Sequence, residues 1–163
     1  MARKKKAEQK EIVEEKTTPK KDYVFAVGRR KEAVARVRLY KDTNNGVMWG
    51  EKKVQKGDIF VNEKPIGEYF SGEVAKVLYT EPFLVTNTLN KYGVTVKVRG
   101  GGNKGQLEAA IHGIARALQL LDKEKFRPIL KKRGFLTRDP RVRERRKVGT
   151  GGKARRKKQS PKR

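Results

Sequence analysis

The chain has 163 residues, of which 43 are Lys or Arg and 18 are Asp or Glu, so its formal net charge is +25. This length allows one ordinary domain with extensions, and the charge indicates a polyanionic partner, nucleic acid before an acidic membrane or protein. The absence of cysteine excludes disulfides and thiolate metal sites, and a single histidine excludes the usual zinc sites.

The positive charge is concentrated at the carboxyl end. Residues 127–163 hold 17 basic and 2 acidic side chains, whereas residues 23–126 hold 18 and 11. We therefore expect a flexible charged extension over residues 1–22, a globular domain over 23–126, and a short helix followed by an extended basic tail over 127–163. Residues 1–22 lack the apolar segment of a secretory signal, and no run is long enough to span a bilayer, so a cytoplasmic location is expected.

The first half of the domain reads as strands joined by turns. Alternating or β-rich segments predict strands at Tyr23–Arg30 and Ala33–Tyr40. The Asn-Asn-Gly sequence at 44–46 is a tight-turn signal that could join two antiparallel strands. Residues 58–66 resemble another short strand closed by a turn.

The second half adds helices. Residues 67–79 favour a helix that ends before Pro82, and residues 92–100 alternate valines with polar residues as a half-buried strand does. Leucine and isoleucine then recur every three or four residues over 106–121, which predicts a helix with one face on a core. A last short helix is expected over 125–134. The pattern predicts an α+β fold, a mixed sheet with helices packed on it.

The sequence Gly-Gly-Gly-Asn-Lys-Gly at 100–105 matches the dinucleotide-binding pattern of glycines between a strand and a helix. That pattern also needs a second parallel strand with an acid at its end, but Asp122 lies at the end of the helix itself. Two interpretations remain: the glycines only turn the chain, or they bring its backbone close to a phosphate. Arg99 and Lys104 favour the phosphate.

No catalytic site is evident. His112 is the only histidine, and the sequence offers it no serine or cysteine partner. We therefore expect a protein that is not an enzyme and that uses no cofactor or metal. His112 and Arg116, four positions apart, share one side of the long helix, away from its apolar stripe.

The tail, residues 138–163, carries 13 basic and 2 acidic side chains and no aromatic residue. Such a segment has nothing to bury, and it lacks the apolar side of a membrane-binding helix and the aromatics of a base-stacking surface. The remaining interpretation is that the tail binds along the phosphates of a nucleic acid. A folded RNA offers converging phosphates better than a DNA duplex does.

Four segments together resemble the bacterial-type ribosomal protein S-nine family of the small subunit. They are YVFAVGRRKEAVARVRLY, VNEKPIGEYF, VKVRGGGNKGQLEAAIHGIARAL and RPILKKRGFLTRDPRVRERRKVG, in the order found in that family. The resemblance implies a fold like the second domain of ribosomal protein S-five. It also implies binding to ribosomal RNA (rRNA) in the head of the small subunit, beside neighbouring head proteins.

The resemblance and the charge pattern together predict the contact residues. The predicted rRNA-binding residues are Arg29, Arg30, Lys31, Arg36, Arg38, Arg99, Gly100, Gly101, Gly102, Lys104, His112, Arg116, Arg133, Thr137, Arg138, Arg141, Arg143, Arg145, Arg146, Lys147, Lys153, Arg155, Arg156, Lys157 and Lys158. The family's tail approaches the anticodon stem-loop of peptidyl-site tRNA, which implies a tRNA contact for Lys162 and Arg163.

Two features depart from the family. The chain ends Gln-Ser-Pro-Lys-Arg where the family commonly ends Gln-Phe-Ser-Lys-Arg, and residues 50–58 look longer than usual. Two alternatives to a ribosomal role are a free-standing nucleic-acid-binding module with a generic cationic arm, and a nucleotide-dependent enzyme built on residues 100–105.

Overall fold

The structure, a computed structural model, describes residues 23–41, 43 and 46–145. These residues form the strands β1 (Tyr23–Arg30), β2 (Ala33–Tyr40), β3 (Val47–Trp49), β4 (Lys52–Val54), β5 (Ile59–Val61), β6 (Lys64–Pro65) and β7 (Gly93–Arg99). They also form the helices α1 (Ile66–Tyr69), α2 (Glu73–Val85), α3 (Asn103–Leu121) and α4 (Lys123–Lys132). The predicted α+β class is confirmed. Within the described ranges, none of the helices combines the length and the apolar character needed to cross a membrane.

Five strands form one mixed sheet in the order β1-β2-β7-β5-β6. β1, β2 and β7 are antiparallel neighbours, whereas β5 runs parallel to β7. The chain returns from β5 to β7 through β6 and the helices α1 and α2, as a parallel pair requires a crossover connection. β3 and β4 form a separate two-stranded hairpin.

The predicted hairpin across residues 44–46 is wrong. The strands on either side, β2 and β3, belong to different sheets and do not pair with each other. Asn44 and Asn45 lie outside the described residues. Gly46 does turn the chain, with a φ of 67° and an N–H that donates to the Thr43 carbonyl.

The predicted single helix over residues 67–79 is wrong, because two helices occupy this region and the second continues to Val85. Gly72, with a φ of 108°, separates α1 from α2, because that backbone conformation cannot continue a helix. α2 then passes through Pro82, which has no N–H to donate to the preceding turn. Burial of Tyr79, Pro82 and Phe83 against the core compensates for that missing hydrogen bond.

The long helix α3 lies across β1 and β2, and α2 and α4 pack beside it. Its predicted apolar stripe faces the core, where Leu107, Ile114 and Leu118 are buried. Valines of β2 and β7 meet this stripe from the sheet. The helices therefore cover one face of the sheet.

Gly28 lets α3 approach β1 closely. A Cβ atom on Gly28 would collide with the Ala109 carbonyl oxygen and with the backbone of Gly113. At Gly113, a Cβ atom would lie 2.6 Å from a methyl group of Val37. Two glycines, one on each element, thus bring helix and strand into backbone contact.

The core continues past residue 126, where the sequence placed the end of the domain. Leu130 of α4 is fully buried, and Phe135 and Leu136 pack against the same core. Gly134, with a φ of 78°, follows the end of α4, a position where glycine commonly stops a helix. The basic tail, residues 138–163, therefore begins directly after residues that pack in the core of the domain.

Candidate nucleic-acid interface

The face of the sheet opposite the helices is basic. Side chains alternate along a strand, so the residues that do not face α3 in β1, β2 and β7 share this second surface. Its exposed cations are Arg29, Arg36, Arg38, Lys97 and Arg99, and we call this surface the open face.

Among the described residues, no acidic side chain neutralises the cations of the open face. The strand residues that point to this face include no Asp or Glu, and none of the five cations forms an ion pair with another described residue. Arg36 and Lys97 are even direct cross-strand partners. Because like charges opposite each other destabilise a sheet, a bound polyanion would stabilise this arrangement.

The glycine loop after β7 extends the basic surface at one end. Gly100 and Gly101 have φ values of 75° and 65°, so they do turn the chain. A Cβ on Gly100 would lie 2.5 Å from the Glu32 carbonyl oxygen, which shows that the loop packs on the turn between β1 and β2. Lys31 of that turn and Lys104 at the start of α3 are exposed nearby. A phosphate contact by the glycines stays a prediction.

The surroundings of this loop do not form a dinucleotide site. In the described part of the chain α3 is followed directly by α4, not by a second parallel strand. Asp122 caps α4 instead, because its carboxylate accepts the Lys125 backbone N–H at 3.2 Å. The alternative of an enzyme built on residues 100–105 therefore loses its structural basis.

Arg30 faces the helices, and its side chain is only 11% exposed. Its Nε donates to the Glu108 carboxylate of α3, and its Nη2 lies 3.0 Å from the Asp139 carboxylate. Its Nη1 donates to the backbone carbonyl of Arg141 at 2.6 Å. We call Arg30, Glu108, Asp139 and Arg141 the Arg30 cluster; it ties the beginning of the basic segment to β1 and α3.

Asp139 serves two arginines in this cluster. Its Oδ1 accepts the Arg141 backbone N–H at 2.9 Å, and its Oδ2 accepts the Arg141 side chain at 2.6 Å. These hydrogen bonds hold the pKa of Asp139 well below its usual range, with the charge of Arg30 acting in the same direction. The carboxylate therefore stays ionised and keeps both arginines in place. Arg143, two residues further on, lines a cleft together with Arg30 and Lys31.

His112 and Arg116 lie against β1, the edge strand of the sheet. The Nδ1 atom of His112 accepts the Arg29 backbone N–H at 3.4 Å, and Arg116 donates to the Val27 carbonyl. The two side chains thus satisfy backbone groups that an edge strand leaves unpaired. Their predicted RNA contacts are not tested by this arrangement, although Arg116 remains exposed.

The environment of His112 favours its neutral form. Burial lowers the pKa of His112 below its usual value of 6.5, and the charge of Arg116 and then Arg138 lowers it further, while a hydrogen bond to the Leu136 backbone opposes them. A neutral imidazole fits the geometry, because only an unprotonated Nδ1 can accept the Arg29 N–H.

The other predicted residues fall in three places. Thr137 and Arg138 line a cleft with Arg29 and His112, next to the Arg30 cluster. Arg133 lies on the helical side of the molecule, 3.9 Å from the Glu81 carboxylate. Arg145 is exposed at the end of the described residues. Outside the described residues lie Arg146, Lys147, Lys153, Arg155, Arg156, Lys157, Lys158, Lys162 and Arg163.

Sequence reasoning missed three residues of this region. Lys97 alternates with the core valines Val96 and Val98, so strand alternation alone places it on the open face. Glu108 and Asp139 carried no such signal, because their partner Arg30 is far away along the chain.

The described residues define a basic α+β protein, in which the cations of the open face have no acidic partner within that part of the chain and the cationic tail is anchored where it begins. The model of the family described as ribosomal protein S9/S16 matches residues 28–163. The chain is 45% identical over 132 residues to the small ribosomal subunit protein uS9 of Maridesulfovibrio salexigens, a match that covers 81% of this chain and 91% of that protein. The chain therefore belongs to the ribosomal protein S9/S16 family.

Proposed function

We propose that the protein is a structural constituent of the small ribosomal subunit, that it binds rRNA, and that it catalyses no reaction. Membership of a ribosomal protein family supports the proposal. The observation that carries rRNA binding is the open face, where five exposed cations stand without an acidic partner among the described residues. A polyanion complements this surface, and rRNA is the polyanion of the ribosome.

Two parts of the protein contribute to RNA binding, the open face and the tail. The open face, with the glycine loop and Lys31 at its end, presents a rigid array of cations held by strands. The tail supplies most of the remaining charge, and the Arg30 cluster fixes where it leaves the domain. On this proposal the domain gives RNA selectivity, because its cations have fixed positions, and the tail neutralises further phosphates.

The finer assignments rest on the resemblance. They are a place in the head of the subunit beside other small-subunit proteins, a fold like the second domain of ribosomal protein S-five, and a contact of Lys162 and Arg163 with peptidyl-site tRNA. Two terminal cations suit a tRNA stem-loop, which presents closely spaced phosphates.

The test measures binding of the full chain to head rRNA and to an unrelated folded RNA over a salt series. One variant carries Arg36→Gln and Lys97→Gln on the open face, and another carries Gln at positions 155–158. Each variant should bind more weakly, and the slope of log affinity against log salt should fall by about 0.7–0.9 for each phosphate that the variant no longer neutralises. Only the open-face variant should lose preference for head rRNA.

A matched control removes two charges from the helical side, by Lys76→Gln and Lys123→Gln, and should bind as the unchanged protein does. Equal binding of all RNAs by every variant would show only a generic cationic arm and would contradict the proposal.

The tRNA contact is tested in reconstituted subunits with Lys162→Gln and Arg163→Gln. These should assemble normally but retain peptidyl-site tRNA less well, and normal retention would remove that role.

A further inference from the structure

We propose that Phe25 on the open face stacks an unpaired RNA base, while the neighbouring cations hold the phosphates on either side of that nucleotide. The inference rests on the proposed rRNA binding and specifies what part of an RNA the sheet takes. It differs from charge neutralisation because it requires a base that is free of pairing.

Phe25 is unusually placed for a large apolar side chain. It is 46% exposed, and it is the one exposed aromatic residue in the described part of the chain. It is the third residue of β1, so the sheet sets its position, and its cross-strand partner is Arg38. Single exposed hydrophobic residues are common, but this one stands within a field of cations.

Aromatic and basic side chains surround Phe25 on the open face. The Arg38 guanidinium lies 5.0 Å from the centroid of the Tyr23 ring, and the Tyr23 ring packs edge-on against Tyr40 at 5.7 Å. These contacts fix the Arg38 guanidinium over Tyr23, while the Arg38 backbone pairs with that of Phe25. By contrast, Lys52 of the β3–β4 hairpin lies over the Phe60 ring at 5.8 Å, so that ring is partly covered. Phe25 is thus the ring left open to a ligand.

The cations lie at suitable distances from this ring. Val27 pairs with Arg36, and Arg36 pairs with Lys97, so both cations lie one row along the sheet from Phe25. Diagonal neighbours across strands are about 7–8 Å apart, and two positions along a strand span about 6.6 Å. Long basic side chains can therefore reach the phosphates that flank a base stacked on Phe25.

This combination fits RNA better than the other partners of a basic surface. A duplex keeps its bases stacked inside, so it would use the cations but not the ring. Aromatic side chains that stack splayed bases beside basic residues are a general means of recognising single-stranded RNA loops and junctions. A partner protein would have to supply several carboxylates around an apolar centre.

The first measurement places a fluorescent reporter at the site. In a Trp49→Phe background, Phe25→Trp makes residue 25 the only tryptophan of the full chain. Stacking of a base should quench its emission when head rRNA is added, whereas a fully paired RNA duplex bound at low salt should not. A matched reporter, Leu120→Trp in the same background, lies exposed on α3 and should not respond to either RNA.

The second measurement separates stacking from charge. Phe25→Leu should weaken binding to head rRNA about tenfold, since stacking contributes of that order per base, with no change in the salt slope. Phe25→Tyr keeps the ring and should bind within about twofold of the unchanged protein. Circular dichroism and thermal melts would check that each variant is folded.

Three results overturn the inference. If head rRNA binds with an unchanged salt slope, but residue 25 is not quenched and Phe25→Leu binds normally, the stacking contact is wrong while the proposed function stands. If quenching appears only in reconstituted subunits and Phe25→Leu binds rRNA normally, the ring contacts a neighbouring protein. If neither the unchanged protein nor any variant binds head rRNA, the proposed function itself is wrong.

Discussion

Arg30 shows how one arginine in a basic motif can differ in role from its neighbours. Arg29 and Lys31 are exposed, whereas Arg30 points to the helices and meets two carboxylates. Its direct contact with RNA stays a prediction. What the geometry supports is a positioning role, in which Arg30 holds residues 139–141 and so aims the basic segment.

The Arg30 cluster leads to a prediction on stability. Glu108→Gln removes one of the two carboxylates that compensate the nearly buried Arg30 charge, and Glu108 itself is about one-third exposed. We expect the free energy of unfolding to fall by about 1–2 kcal/mol, below the cost of breaking a fully buried pair. Urea unfolding would measure it.

The control for this prediction is Glu51→Gln, at an exposed turn between β3 and β4. It removes the same charge without touching Arg30 and should change stability by less than about 0.5 kcal/mol. Equal effects of the two substitutions would show that net charge matters and the Arg30 contact does not.

His112 gives the second prediction at this scale, on pH. Because its pKa is lowered in the folded protein, the unfolded chain binds a proton first as the pH falls below 6.5. Stability should therefore be greatest above that pH and should decline as the pH falls from there through the folded-state pKa. Urea unfolding between pH 8 and pH 5 would show the decline.

His112→Gln tests whether His112 causes it. Glutamine has a donor and an acceptor but does not titrate, so the variant should lose part of the decline. The quantity compared is the difference in pH dependence between the two proteins. An identical pH dependence would show that His112 does not contribute.

At the scale of elements, the contact of α3 with β1 depends on having no side chain at Gly28. Gly28→Ala places a methyl group against backbone atoms of α3, which cannot move without moving the helix. We expect a loss of about 2–3 kcal/mol in the free energy of unfolding, as overpacking a rigid core costs. Thermal or urea unfolding would report it.

Gly105→Ala is the matched control, since it lies within α3 and its added methyl would meet neighbours only at 3.7 Å or more. Alanine favours helix over glycine, so this variant should be slightly more stable. A Gly28→Ala protein as stable as Gly105→Ala would show that the helix can shift without cost.

Across the whole molecule, local sequence patterns predict some features of the fold and not others. The bounds of β1 and β2 and the apolar stripe of α3 were predictable, because alternation and helical periodicity follow directly from burying one side of an element. α2 was not, because its passage through Pro82 depends on burial of Tyr79 and Phe83 in the core. Local signals cannot register such tertiary compensation.

The residues of the candidate site also fall into a predictable and an unpredictable group. Open-face cations such as Arg36 and Arg99 could be found from strand alternation and resemblance. The Arg30 cluster could not, because its hydrogen bonds join residues 78 and 111 positions apart. Contacts of that range follow from topology, and a single sequence does not reveal them.

The order of the strands has a consequence for synthesis of the chain. β1 and β2 are made first, yet the helix that covers them, α3, ends at residue 121. At about 5–20 residues per second, translation reaches Glu108, 78 positions after Arg30, only about 4–16 s later. During that interval the nascent hairpin has an uncovered apolar side. The basic tail, residues 138–163, follows α3 and α4 in the chain, so both helices leave the translating ribosome before it.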